Sequence, residues 1–360
     1  MDEIIVGTYE GYLVGYALTK EDRVNKMKQT FAIHSHTGSV RSISIAGKFL
    51  ASGGTDDKII IIDLKSRKEH TVLMHHDGTV NTLIFTNGGT HLISGSDDGS
   101  IVVTRVGNWQ TEKKWKKAHG GQPVISIAMH PTDKLALSLG GDKTLRTWNF
   151  IKGRPAFTIN LSSKGLSMAT DVSFSPGGDR FAITAQQTVD VWTISKAGVE
   201  KKVTCNSKPT CVQWIDDEKL FVGLESGNII NLSVSDNQAM TCRAHKQRVK
   251  CLCYDKNVLY SVSSSGELKL WSVLNTHRFL EKDATSIGCR ATCMILNKQN
   301  CFVKKEDEEI NVENEMNYEV IAVESSESKP SQKGGFVSIS YDDDEPKQKK
   351  RKKKNKKEFN

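Results

Sequence analysis

The sequence lacks the features that mark a membrane protein, a metal site or a hydrolase. No apolar run reaches about 18 residues and no apolar segment follows a basic N-terminus, so neither a membrane span nor a secretory signal is expected. The eight cysteines, at 205, 211, 242, 251, 253, 289, 293 and 301, are scattered. Cys251 and Cys253 alternate as along a strand, and Cys289 and Cys293 are four apart, but neither pair has a second pair at zinc-finger spacing. They read as buried, reduced thiols of a cytosolic or nuclear protein. There is no GxxxxGK(S/T), no HExxH and no GxSxG. No catalytic, cofactor-binding or metal-binding residue is expected, and the chain reads as a scaffold without chemistry of its own.

What is present is a repeat. The stretch LALSLGGDKTLRTWN (135–149) alternates through Leu135, Leu137 and Leu139, turns at Gly140, Gly141 and Asp142, and runs on to Trp148. LASGGTDDKIIIID (50–63), LISGSDDGSIVVTR (92–105) and LYSVSSSGELKLWS (259–272) repeat the pattern. A histidine precedes each copy: His36, His76, His119 and His245, at gaps of 40, 43 and 126 residues. The last gap is three times 42, which places divergent repeats near 161 and 203 and a further one near 287. The acids keep step, with Asp56 to Asp98 spanning 42 and Asp98 to Asp142 spanning 44. A period of about 40–45 residues with four strands per unit is that of a WD-repeat propeller blade. The expected fold is all-β, a seven-bladed WD-repeat β-propeller over 1–303 followed by a disordered, charged C-terminal tail over 304–360. Too little strand follows 287 for a whole blade. IIVGTYEGYLVGYAL (4–18) aligns without gaps on LISGSDDGSIVVTRV (92–106), so residues 3–33 are expected to close the last blade with 288–303.

In this fold a turn histidine, a strand serine or threonine, the turn aspartate and the strand tryptophan can form one buried hydrogen-bond chain, with a penalty for any unpaired member. Blade three has all four: His119, Ser138, Asp142 and Trp148. Blades one and two keep His36 with Asp56 and His76 with Asp98, but carry Ile62 and Thr104 in the tryptophan position. Blade six has His245 and Trp271, with Ser265 at the turn. Blade four has no histidine and a shortened turn, AQQ, without an acid; blade five has Ser226 in the acid position. A His–Asp–Ser set invites comparison with a hydrolase triad, but recurrence at blade spacing argues for a structural role. Gly53-Gly54, Gly88-Gly89 and Gly140-Gly141 read as turn glycines chosen for positive φ.

The formal charge is +8, from 50 basic and 42 acidic residues. Residues 304–360 hold 13 basic and 14 acidic, which leaves 37 basic and 28 acidic, or +9, on 1–303. A basic propeller suggests polyanionic partners, RNA among them. The candidate contacts flank the strand entries: Arg41, Arg248 and Lys250; Lys143 and Arg146 in the best hairpin; Arg154 after it; and Lys113, Lys114, Lys116 and Lys117 around Trp115. If KKWKK is all strand, Lys114 and Lys116 share one face, and Lys113, Trp115 and Lys117 the other. The tail is acidic first, then carries an apolar island, FVSISY (336–341), and ends in a basic run: Lys347, Lys349, Lys350, Arg351, Lys352, Lys353, Lys354, Lys356 and Lys357. That run reads as a nuclear or nucleolar address or an RNA arm.

LALSLGGDKTLRTWNFIKGRPAF (135–157), HHDGTVNTLIFTNGGTHLISGSDDGSI (75–101) and AHKQRVKCL (244–252), with the lysine-rich end, resemble the p21-activated-kinase-interacting family of WD-repeat proteins. That family is nucleolar and includes a yeast large-subunit assembly factor. The resemblance implies pre-ribosomal proteins and ribosomal RNA as partners, in maturation of the large subunit in the nucleolus. It also implies binding to the regulatory region of p21-activated kinases, restraining their activation. No membrane partner is expected, and the chain is expected to act as a monomer within a larger complex.

Overall fold

The computed structural model describes residues 2–21, 24–196, 198–236, 239–274 and 278–298. The tail, with its basic run and FVSISY, lies outside the described residues. Seven antiparallel four-stranded sheets are arranged as the blades of a β-propeller. Blade one consists of Val40–Ala46, Phe49–Gly54, Ile59–Asp63 and Lys68–Leu73, in order from the axis outward. The innermost strands of blades two to six are Val80–Phe85, Val124–Met129, Ala169–Phe174, Pro209–Trp214 and Val249–Asp255. Each innermost strand touches the next, and the strand Ala291–Asn297 completes the ring against Val40–Ala46. Among the described residues, no helix is long and apolar enough to cross a membrane.

The seventh blade is split, as the alignment of its N-terminal strands implies. Ala291–Asn297 is its inner strand, followed outward by Glu3–Thr8, Tyr12–Glu21 and Val24–His34. Closing the ring this way pairs strands that would otherwise be open edges.

Side-chain character follows position in the blade. Middle strands are covered on both faces and largely apolar, as in the fully buried IIII of Ile59–Asp63. Outer strands are charged and exposed, as in Gly198–Thr204, which discourages pairing with other sheets. The inner ring is stitched by small polar side chains. Ser42 and Ser44 accept from the Leu83 and Phe85 amides (2.9 and 3.0 Å), and the Cys251 and Cys253 thiols donate to the Thr292 and Met294 carbonyls. Burial pushes the Cys251 thiol up to about 11 and Cys253 to about 12, so they remain unreactive thiols. All seven described cysteines are free.

The paired glycines are not all placed for positive φ. Gly53, Gly54 and Gly140 end strands, and positive φ falls three or four residues later, at Asp57 (62°) and Lys143 (59°). The equivalent residues in other blades are Gly11, Gly99, Gly227 and Gly266. Gly54 and Gly140 are small for a different reason: a Cβ there would overlap the imidazole of His36 or His119. Of the Gly88-Gly89 pair, only Gly89 has positive φ.

Candidate interaction surface

The histidine chains form in four blades. In blade three, His119 Nδ1 lies 2.9 Å from Asp142 Oδ1 and Nε2 lies 2.7 Å from Ser138 Oγ, while Trp148 Nε1 donates to the same Oγ at 2.8 Å. With Nδ1–H directed at a carboxylate, Nε2 is the acceptor, so Ser138 donates to it and receives from Trp148. Ser138 is fully buried between these partners, which excludes it as a nucleophile. His36 reaches Asp56 and Ser52, and His76 reaches Asp98 and Ser94.

Blade six is complete, by a route the sequence reading missed. Ser265 does not take the acid's part. Glu267, two residues on, bonds His245 Nδ1 at 2.8 Å, and Ser261 links His245 to Trp271. The longer side chain reaches back from the first strand position to where an aspartate would sit in the turn. In blade four Ile183 stands opposite Asp190, where blade three has Ser138 opposite Arg146. Trp192 Nε1 is therefore buried without a partner.

The locks carry a pH signature. Burial lowers the pKa of His119 and of His245, with Asp142 and Glu267 opposing it. Burial alone would raise Asp142, but hydrogen bonds from Thr144 and His119 leave it below the ordinary value. An imidazole that resists protonation when folded contributes stability above the ordinary value of 6.5, and that contribution is lost as pH falls toward the lowered folded value. The midpoint of thermal unfolding is expected to fall from pH 6.5 to about 5. A His119→Gln/His245→Gln protein should melt lower at neutral pH but show a shallower fall over that window. Parallel melting curves against pH would refute the assignment.

The basic residues proposed as contacts are not one cluster. Every inner strand carries a bulge at its start, and Arg41 and Lys250 occupy that bulge position in blades one and six. With exposed Arg248, Lys143, Lys116 and Lys117, they lie toward the edge that carries the histidine turns. Arg154 begins an outer strand and lies toward the opposite edge. Arg146 is half-buried and bonded to Asp142 (3.1 Å), so it belongs to the lock. KKWKK is only partly strand, ending at Trp115. Lys113 is exposed, Lys114 donates to the His75 carbonyl at 2.6 Å, and Trp115 packs on Trp148 with ring centroids 4.8 Å apart.

The WD domain, G-beta repeat family model matches residues 26–63, 67–104, 111–149 and 236–272. Each match begins in the outer strand of one blade and continues through three strands of the next. The chain is 37% identical over 277 residues to p21-activated protein kinase-interacting protein 1-like of Xenopus laevis, covering 75% of this chain and 74% of that one. It is 36% identical over 282 residues to the Danio rerio protein of the same name, covering 75% and 73%. It is 28% identical over 306 residues to Shk1 kinase-binding protein 15 of Schizosaccharomyces pombe, covering 82% and 84%.

Proposed function

Because the chain belongs to the p21-activated protein kinase-interacting protein 1 family of WD-repeat proteins, we propose that it is a scaffold for assembly of the large ribosomal subunit in the nucleolus. The propeller would contact pre-ribosomal proteins and ribosomal RNA, and the lysine run from Lys347 to Lys357 would carry the address. The observation that carries this reading is the charge distribution: a surplus of nine positive charges on 1–303, with 37 basic against 28 acidic residues. A rigid basic body suits phosphate-rich partners. A second reading has its own support. The relatives are named for binding p21-activated or Shk1 kinases, so this propeller would hold a kinase regulatory segment.

The test is sedimentation of cell extract on a sucrose gradient, with the intact chain beside one truncated after Pro346. Migration of the intact protein with precursor large-subunit particles, and loss of nuclear enrichment on truncation, is the expected result. A protein that stays at the top of the gradient and spreads through the cytosol overturns the ribosomal reading and favours the kinase one.

A further inference from the structure

Blade four lacks the histidine lock, and an open hollow of about 970 Å³ lies over its turn. The two facts have one cause. The amides of Ala118 and Ala244, each just before a lock histidine, bond the carbonyls of Gly99 and Gly227; Leu161 makes the same bond to Lys143. Ser162 therefore falls where a lock histidine would sit, and it is exposed. The turn beneath is cut to Gln186 and Gln187, so neither ring nor carboxylate fills the space.

The floor is apolar, built from Ile125, Leu161 and Leu166, with Met168 at the rim and 64% exposed. Lys143 and Lys208 stand at its sides. Both are exposed, and neither takes part in an ion pair among the described residues. An unbranched, polarizable methionine at a rim adapts to varied apolar side chains. Unpaired lysines around an apolar floor are complementary to an apolar anchor flanked by carboxylates. The lining has no aromatic ring and no arginine, the surfaces on which bases stack, which argues against a nucleic-acid strand.

We propose that the hollow over blade four is a docking site for an acidic protein segment that inserts one apolar side chain between Lys143 and Lys208. The inference rests on the scaffold reading alone and holds for a ribosomal or a kinase assembly. Loss of a structural lock in one blade is then the opening of a recognition site.

The probe is a fluorescein-labelled dodecapeptide with a single central leucine flanked by aspartates and glutamates. It would be titrated by fluorescence anisotropy against the full chain carrying 13C-methyl methionine. Saturable binding is expected, with a shift of the Met168 methyl resonance. Exchange of the leucine for glycine should weaken binding about tenfold or more. Met168→Asp, or Lys143→Glu with Lys208→Glu, should weaken it to a similar extent, whereas Lys152→Glu with Arg154→Glu should not. Three outcomes would each overturn the proposal: no saturable binding, equal binding of a lysine-flanked peptide, or displacement by oligouridine whose own binding needs Lys143 and Lys208. None depends on the sucrose-gradient result, so the two readings fail separately.

Discussion

A Glu3→Ala protein is expected to lose about 3–5 kcal/mol of unfolding free energy, because it leaves a charge without its partner at the seam that closes the ring. Glu3 lies in the second strand of the split blade, paired with Asn297 on one side and Ala17 on the other. Its carboxylate is almost wholly buried and accepts from Arg67 Nη2 at 2.8 Å on both oxygens, from Thr30 Oγ1 at 2.5 Å and from Asn297 Nδ2 at 3.4 Å. Arg67 lies between strands three and four of blade one, and its guanidinium stacks over Phe31 at 4.5 Å. One carboxylate thus ties the N-terminal strands, the C-terminal strand and blade one together. Arg67 is one-third exposed, so solvent screening places the loss toward the lower end of the range. Arg67→Ala should cost a comparable amount, since it strands the more deeply buried partner. Glu3→Gln with Arg67→Met should recover much of the loss, because no uncompensated charge remains. Urea titration of the four proteins compares the losses directly. A single-variant loss below about 1 kcal/mol would mean that the pair does not secure the seam.

The periodicity made the propeller legible, because His36, His76, His119 and His245 mark the same point in each blade. The split blade was legible because Glu3–Thr8 and Tyr12–Glu21 keep the hairpin pattern without the lock. Other features were hidden for physical reasons. Glu267 escaped notice because spacing shows where a side chain is attached, and a glutamate placed two residues late ends its reach in the same place. Ser52 and Ser94 were within reach of the sequence, since each stands four residues before its turn aspartate, as Ser138 stands before Asp142. The turn glycines were misplaced because a need for smallness beside an imidazole and a need for positive φ both select glycine. The hollow over blade four was beyond reach, since it depends on how the 161–168 connection folds back. The sequence showed only that a histidine and an acid were missing there.

The lock itself sets the other large effect. Ser138→Ala removes one hydroxyl but orphans two buried groups, Trp148 Nε1 and His119 Nε2. At about 1–3 kcal/mol for each unpaired group, the loss should reach about 2–6 kcal/mol. Ser52→Ala in blade one orphans only His36 Nε2, because no tryptophan shares that serine, so it should cost about half as much. Two of the buried tryptophans give an internal control. Trp148→Phe and Trp192→Phe both remove part of an indole from a packed blade, but Trp192 Nε1 has no partner to lose. The variant at 148 should therefore be the less stable by about the worth of one hydrogen bond, about 1 kcal/mol. If Ser138→Ala and Ser52→Ala cost the same in urea titrations, the serine in blade three is not a two-way link. Histidine and aspartate alone would then account for the lock, and blade four would differ from blade three by its missing imidazole and carboxylate only.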